Sequence, residues 1–337
     1  MAGTSAIEWT DATWQPITGC SLESPGCTNC YAMKLAGGRL RHHPSRAGLT
    51  TMTKAGPVWN GQVRFNEQWA IQPLGWSKPK RIFVCAHGDL FHENVPDEWI
   101  DKVFAVMALA PWHTFQVLTK RSARMREYFA GWDAFDRIIP LMMWLIEEGF
   151  AVSRNESCAR HGIPWTKAQS ANDWWPLRNV WLGVSAEDQR RADERRDHLA
   201  DLAKQGWTTF VSYEPAIGPV DWVGWDFLKQ LISGGESGPG SRPSHPDWHR
   251  VARDFCKSRG IEYFFKQWGN WKPLDQFSEQ LIKGAGIHGV IRHDGRFVVD
   301  ADLADPPGAV FTFNVGKKAA GRLLDGVEHN GMPEARG

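Results

Sequence analysis

Six short runs of apolar, β-branched and aromatic residues recur along this chain, each separated from the next by a segment long enough for a helix. They are Arg81–Cys85, Thr114–Leu118, Val180–Val184, Thr208–Ser212, Leu231–Ser233 and Ile261–Phe265. A seventh run, Trp14–Thr18, stands just before a cysteine-rich loop. Runs that stay apolar instead of alternating mark strands buried on both faces, as in a parallel sheet covered by helices. Helix signals fill the gaps. Pro96-Asp97-Glu98 supplies a proline and acids for a first turn, and Trp99, Val103, Val106 and Met107 follow at helical spacing. Ser185, with Asp188 three residues on, reads as the cap of a charged helix reaching Gly206. Pro246-Asp247 opens another helix, with Val251, Ala252 and Phe255 inward and Gly260 as its stop. Alternation of this kind predicts an α/β fold, a partial or complete (β/α) barrel.

Two segments depart from the alternation. The core is predicted over 1–130 and 177–270, with a Trp-rich inserted lobe or lid over 131–176. Residues 271–337 form a small C-terminal extension. Within it, His293-Asp294-Gly295-Arg296 between Val290-Ile291 and Phe297-Val298-Val299 predicts a hairpin, and the stretch from Gly316 to Leu324 predicts a short helix.

The loop after the first strand carries Cys20, Cys27 and Cys30, spaced Cys-x6-Cys-x2-Cys. Three thiolates from one loop hold three corners of a metal site and leave the fourth open. That pattern suits a [4Fe–4S] cluster with one iron free of protein, whereas structural zinc takes a fourth protein ligand. Gly19, Pro25 and Gly26 supply the turns. Cys85 ends an apolar run and Cys256 lies on an amphipathic helix, so both read as packing. Cys158 with His161 lacks two further ligands nearby in sequence.

Composition narrows the function classes. A formal net charge of +1 provides no global field toward DNA or membrane, so any nucleic-acid contact needs a local patch. Arg39, Arg41 and Arg46, with Lys78, Lys80 and Arg81, are candidates for a phosphate-facing patch or for an ordinary solvated face. Residues 138–146, the most apolar stretch, are too short to span a bilayer and contain Pro140, so no membrane association is expected. The first residues lack an apolar core of the secretory type, and six cysteines are too few for a disulfide scaffold; both point to a cytoplasmic protein. Nineteen tryptophans serve mainly packing, with some available to stack on a planar substrate.

Polar residues follow every strand run. They are His87, Asp89 and His92; Thr119, Lys120 and Arg121; Ser185 and Glu187; Tyr213 and Glu214; Gly234-Gly235-Glu236-Ser237-Gly238; and Lys266, Gln267 and Trp268. In a parallel barrel these positions share one rim with the cysteine loop, predicting a pocket of mixed acids and bases above it. A charge directly after a buried strand is expensive unless it faces a cavity or a partner. Helix capping is the competing role for Ser185 and Glu187.

At these residues the chain resembles a phage and prophage protein family of long-unknown function, named for its three-Cys motif. The resemblance is carried by residues 7–14, 18–32, 89–96, 116–121, 179–185, 214–215, 234–238, 264–269 and 316–321. That family looks like a divergent branch of the radical S-adenosylmethionine (SAM) enzymes. The resemblance implies a barrel of the radical SAM type, with Cys20, Cys27 and Cys30 on a [4Fe–4S] cluster whose open iron chelates the methionine end of SAM. It implies Asp89 and Glu236 for the SAM ammonium and Lys120 for its carboxylate. Ser185, Gly234 and Gly235 belong to the same cofactor wall, and Glu187 or Glu214 would hold ribose or substrate. Lys120, Glu214 and Lys266 are the catalytic candidates, with Lys266, Lys317 and Lys318 facing substrate phosphate. A nucleobase, nucleotide or DNA substrate follows by analogy, with base hypermodification or photolesion reversal as the reaction. An external electron donor such as flavodoxin, a phage-encoded partner protein and the cytoplasm of a bacterial host complete the expectation. Two features differ from radical SAM enzymes at large. Their usual spacing is Cys-x3-Cys-x2-Cys, and their Gly-Gly-Glu segment follows the second strand, where this chain has Ala86-His87-Gly88-Asp89.

Two alternatives stay open at the level of sequence. The cysteines would hold zinc in a nucleic-acid-binding or partner-binding protein, with His87 or His92 as fourth ligand. Or the cluster would serve a SAM-independent DNA-processing enzyme, with Asp89, Glu214 and Glu236 on Mg²⁺.

Overall fold

The computed structural model describes residues 5, 7–131, 133–161, 175–277, 288–299 and 307–334. Seven parallel strands form one sheet: β1 (Ala12–Trp14), β2 (Arg81–Val84), β3 (Thr114–Thr119), β4 (Val180–Ser185), β5 (Thr208–Tyr213), β6 (Gln230–Gly234) and β7 (Glu262–Gln267). They pair in sequence order, so every crossover advances by one strand, and β1 and β7 remain the two edges. The result is a partial (β/α) barrel. The first strand differs from expectation. It ends at Trp14, because Gln15-Pro16 turns the chain and Ile17–Thr18 pair antiparallel with Arg64–Phe65 instead.

Both faces of the sheet are buried, which is why its strands read as unbroken apolar runs. Inside, Trp9, Trp181, Phe210, Ile232 and Phe264 pack together with Phe83 and Leu118. Gly183 is required there: a Cβ would stand 2.4 Å from the Phe210 ring. Outside, Ile82, Val84, Phe115, Val117, Leu182, Val211 and Leu231 join one large core with the helices. The helix Asp97–Leu109 buries nine of its residues. The helix Asp133–Glu147 packs on it through Ile138, Met142 and Leu145, and Asp101 accepts from Arg137 Nε (2.9 Å) and Tyr128 Oη (2.7 Å). The remainder of the expected lobe, 162–174, lies outside the described residues.

Two helix readings need correction. Asp188, not Ser185, caps the charged helix Gln189–Lys204, its Oδ1 accepting from Arg191 N at 2.9 Å. Ser185 is the last residue of β4, and Ala186 N still donates to Ser212 O, so the strand ladder continues past it. In the helix Pro246–Arg259, Val251 is exposed, and the inward face is Trp248, His249, Ala252 and Cys256. Gly260 ends that helix at φ +65°.

The C-terminal extension forms an antiparallel sheet of β8 (Trp271–Pro273), β9 (His288–Ile291), β10 (Phe297–Val299) and β11 (Val310–Asn314), ordered β8-β11-β9-β10. The hairpin turn falls where the sequence placed it, with Gly295 at φ +91° and Arg292 N donating to Arg296 O. The short helix spans Lys317–Ala320. Beyond it the chain runs back along β7: Phe265 N donates to His329 O and Gly331 N to Tyr263 O. This tail covers a sheet edge that would otherwise offer free backbone groups. Among the described residues no helix is long and apolar enough to cross a membrane.

Candidate functional site

One cavity opens at the C-terminal ends of the strands. Its floor is Trp9, Phe83 and Leu118. Its wall takes Cys85, Ala86 and Asp89 after β2, Thr119, Lys120 and Arg121 at the end of β3, and Ser185 at the end of β4. Ser212 and Glu214 come from β5, Gly235, Glu236 and Ser237 follow β6, and Lys266 comes from β7. Cys20, Cys27 and Cys30 close the remaining side. Glu187 and Gly234, expected in the cofactor wall, are not among the lining residues.

The cysteine loop is shaped by local chain chemistry. Gly19 adopts φ +100°, and a Cβ there would collide with Gln62 O at 2.1 Å. Pro25–Cys27 make one 3₁₀ turn, and Cys30 is the N-cap of the helix Tyr31–Gly37. Burial raises the Cys20 thiol to about 12, the Asp89 charge adds to this, and Arg121 opposes it. Burial also raises the Cys30 thiol, against hydrogen bonds from Met33, Ala32 and Trp59. Thiols of this kind release their protons only when a metal centre takes up the charge.

Three rim groups pin the loop at its start, middle and end. At the start, Arg121 Nη1 lies 3.4 Å from Cys20 Sγ, and its Nη2 donates to Ser21 Oγ at 2.6 Å. Asp89 stands behind it, accepting from Arg121 Nη1 (3.1 Å), Thr119 Oγ1 (2.6 Å), Phe91 N (3.0 Å) and Lys120 N (3.2 Å). In the middle, Glu187, with no exposed surface, accepts from Ser24 Oγ (2.6 Å), Arg195 Nη1 (2.8 Å) and Lys120 Nζ. Burial alone would raise this carboxyl, but Lys120 and Arg195 outweigh it and bring it to about 2. Gly26 presses against it so closely that a Cβ would lie 2.6 Å from Glu187 Cγ. At the end, Glu236 accepts from Asn29 Nδ2 (2.9 Å) and holds Arg242 (2.6 Å), whose Nη2 also reaches Pro25 O (3.0 Å).

This geometry redirects several expected roles. Asp89 and Glu236 line the cavity, and their oxygens also accept from Arg121 and Arg242 and from backbone and side-chain donors of the loop and rim. Lys120 is bound to Glu187. Gly235 N donates to Gln267 O, and a Cβ on Gly235 would meet Trp268 O at 2.1 Å, so this glycine serves close packing. Lys266 and Glu214, both lining the cavity, pair with each other, Nζ to Oε1 at 2.8 Å. Lys317 pairs with Glu8 at 3.2 Å, and neither is among the residues that line the cavity. Arg46 of the expected phosphate patch is buried on Ser45 and His87, and Arg81 pairs with Asp11.

Among the described residues no three His, Cys, Asp or Glu side chains gather closely enough to hold one metal ion. A four-iron cluster binds each thiolate on a different iron, so its sulfurs do not meet at one point. The zinc reading requires His87 or His92 as a fourth ligand. His87 Nδ1 contacts Arg46 Nη2 at 2.9 Å, and His92 uses Nδ1 for Asn94 N and Nε2 for Ser21 Oγ. For the magnesium reading, Asp89, Glu214 and Glu236 each face a different cation. Cys158 is buried and His161 stacks on Trp112 at 4.2 Å, away from the cavity.

Sequence reasoning missed the anchors Ser24, Asn29, Arg195 and Arg242. Only Asn29, inside the Cys-x2-Cys spacing, had a positional signal; the others are delivered by tertiary pairing.

Fold and site together define a partial (β/α)-barrel protein with a three-cysteine loop at the C-terminal rim of its strands. More particularly, the chain belongs to a family described as a protein of unknown function (DUF5131), which matches residues 4–333. No curated protein is similar to it in sequence. Among solved structures, a mutant spore photoproduct lyase aligns at TM-score 0.34 and 11% identity, over 69% of this chain and 58% of that one. Spore photoproduct lyase complexed with a dinucleoside spore photoproduct aligns at TM-score 0.36 and 10% identity, over 93% and 71%. The chain thus spans less than two thirds of the first of these.

Proposed function

We propose that this protein is a radical SAM enzyme. The observation that carries the reading is the placement of Cys20, Cys27 and Cys30 on one loop, along one wall of a cavity at the C-terminal rim of a partial barrel. The donor set fits: three thiols of one loop with a guanidinium beside one of them, His87 and His92 engaged by other partners, and the remaining cysteine of the cavity wall, Cys85, carried by the end of β2 and not by the loop. Cys20, Cys27 and Cys30 would hold a [4Fe–4S] cluster, which supplies an electron and an open coordination position for the methionine end of SAM.

The chain's own residues have distinct tasks. Arg121, Glu187 and Glu236 orient the loop. Trp59, Trp9, Phe83 and Leu118 give the cavity an apolar lining. Glu214 and Lys266 form a paired acid and base able to meet the charged amino-acid end of SAM or a polar substrate edge, and Ser185 and Ser212 offer hydroxyls on the wall between. The substrate in this reading is a nucleobase or nucleotide that is rearranged or modified, and the electron comes from an external one-electron carrier such as flavodoxin.

The test is anaerobic reconstitution with iron and sulfide, followed by a 5′-deoxyadenosine assay with SAM and dithionite. The wild type should form the product, and Cys20→Ala, Cys27→Ala and Cys30→Ala should each lose both iron and product. A fully loaded wild type that leaves SAM intact with every nucleotide and oligonucleotide offered would overturn the reading.

A further inference from the structure

Residues 24–66, which begin inside the cysteine loop, contain Lys34, Arg39, Arg41, Arg46, Lys54 and Arg64 but no aspartate or glutamate. The rest of the chain holds 33 Lys and Arg against 38 Asp and Glu, so the near-neutral total conceals a segment of +6. The structure does not neutralise it. Lys34 Nζ donates to Pro239 O and Asn29 Oδ1, Arg64 to Pro44 O, Arg41 to His42, and buried Arg46 to Ser45 and His87, all uncharged acceptors. Arg39, Arg41 and Lys54 are exposed. Among the described residues none of the six forms an ion pair with a carboxylate.

This segment is built against the cavity. It comprises the helix Tyr31–Gly37 and the hairpin Thr50–Thr53 with Gly56–Trp59, joined where Gly37 meets Pro57 so closely that a Cβ would lie 2.0 Å from it. Trp59 and Tyr31 line the cavity. Tyr31 is 48% exposed, and its Oη donates to Ala86 O at 2.8 Å, so an aromatic face is held in place at the mouth. Uncompensated cations on the same segment as a fixed aromatic ring supply the two components of a single-stranded nucleic-acid surface: the cations track phosphates and the ring stacks a base. Two of the three exposed cations, Arg39 and Arg41, are arginines, suited to phosphate by their planar fork.

We infer that residues 24–66 form a docking surface for the phosphodiester backbone of a single-stranded or locally opened nucleic acid, with Tyr31 stacking a base at the cavity mouth. This rests on the proposed function for what happens in the cavity, but the surface is testable separately. The experiment uses full-length reconstituted protein and a fluorescein-labelled single-stranded DNA 12-mer, with anisotropy measured across a NaCl series. Arg39→Glu/Arg41→Glu/Lys54→Glu should weaken binding by at least about tenfold at moderate salt and flatten the log–log salt slope by about 2, the loss of three phosphate contacts. Tyr31→Leu should weaken binding about fivefold or more and leave that slope unchanged. Equal binding by wild type and the triple variant overturns the proposal. So does an absence of oligonucleotide binding, including the case in which the triple variant loses association with an acidic flavodoxin, which would assign the surface to an acidic protein. Dithionite-driven SAM cleavage without oligonucleotide is measured on the same samples. Cleavage without DNA binding removes only this surface; DNA binding without cleavage removes only the radical SAM reading.

Discussion

Replacing Glu187 with Gln tests how the cysteine loop is held. Glu187 has no exposed surface, and Lys120 and Arg195 bring its carboxyl to about 2 where an ordinary glutamate titrates near 4.5. At roughly 1.4 kcal/mol per pKa unit, ionised Glu187 contributes on the order of 3 kcal/mol to folding at neutral pH. The sign follows from the depressed pKa. The contribution is complete above about pH 4.5 and is lost as pH falls through the folded value near 2. Glu187→Gln removes the charge and leaves Lys120 and Arg195 facing a neutral amide, so it should destabilise by about 3 kcal/mol at pH 7. Urea unfolding of both proteins from pH 7 to pH 2.5 measures this. The difference should stay constant down to about pH 5, then shrink by about 1.4 kcal/mol per pH unit, because only the wild type still gains a proton at this position. Weakening of the charged Ser24–Glu187–Lys120 contact should also lower iron retention in reconstituted protein. A difference below about 1 kcal/mol at pH 7, or one equally large at pH 3, would refute the reasoning.

Other outcomes follow from the same geometry. Arg121→Met leaves Asp89 buried beside an aliphatic chain and frees Ser21, so unfolding free energy should fall by about 3–5 kcal/mol and iron content should drop, read by urea titration and iron assay. Gly26→Val should drive the Glu187 side chain away and reduce iron loading while far-UV circular dichroism is unchanged. Glu214→Gln and Lys266→Met should each keep full iron content yet raise the SAM or substrate concentration needed for half-maximal turnover. Deleting residues 329–334 should expose the β7 edge and produce concentration-dependent light scattering.

The barrel was readable because parallel strands buried on both faces leave uninterrupted apolar runs, as Val180–Ser185 and Thr208–Tyr213 do. The first strand was misplaced because Trp14–Thr18 is as apolar as a strand, while Pro16 diverts the chain halfway through it. The capping error has a similar origin. Ser185 and Asp188 are both good caps, and only the ladder bond from Ala186 to Ser212 shows that the strand has not yet ended at Ser185. At the site, charges after strands announced a rim, since such groups need partners or a cavity. Which partner each would take was not legible. Arg195 reaches Glu187 from the following helix, Arg242 folds back on Glu236, and Arg121 joins Asp89 to Cys20, three pairings set by tertiary structure. Three acids that sequence position offered as ligand-binding groups, Asp89, Glu187 and Glu236, thus also hold the loop, while Glu214 pairs with Lys266 in the cavity.

The central claim concerns the coordination position that the three thiolates leave vacant. Electron paramagnetic resonance of the dithionite-reduced, reconstituted protein, recorded with and without SAM, addresses it directly. The account predicts a four-iron signal whose shape changes on adding SAM and stays unchanged with 5′-methylthioadenosine, which lacks the chelating amino-acid end. A spectrum indifferent to SAM, or a protein that takes up a single zinc ion in place of iron and sulfide, would contradict it.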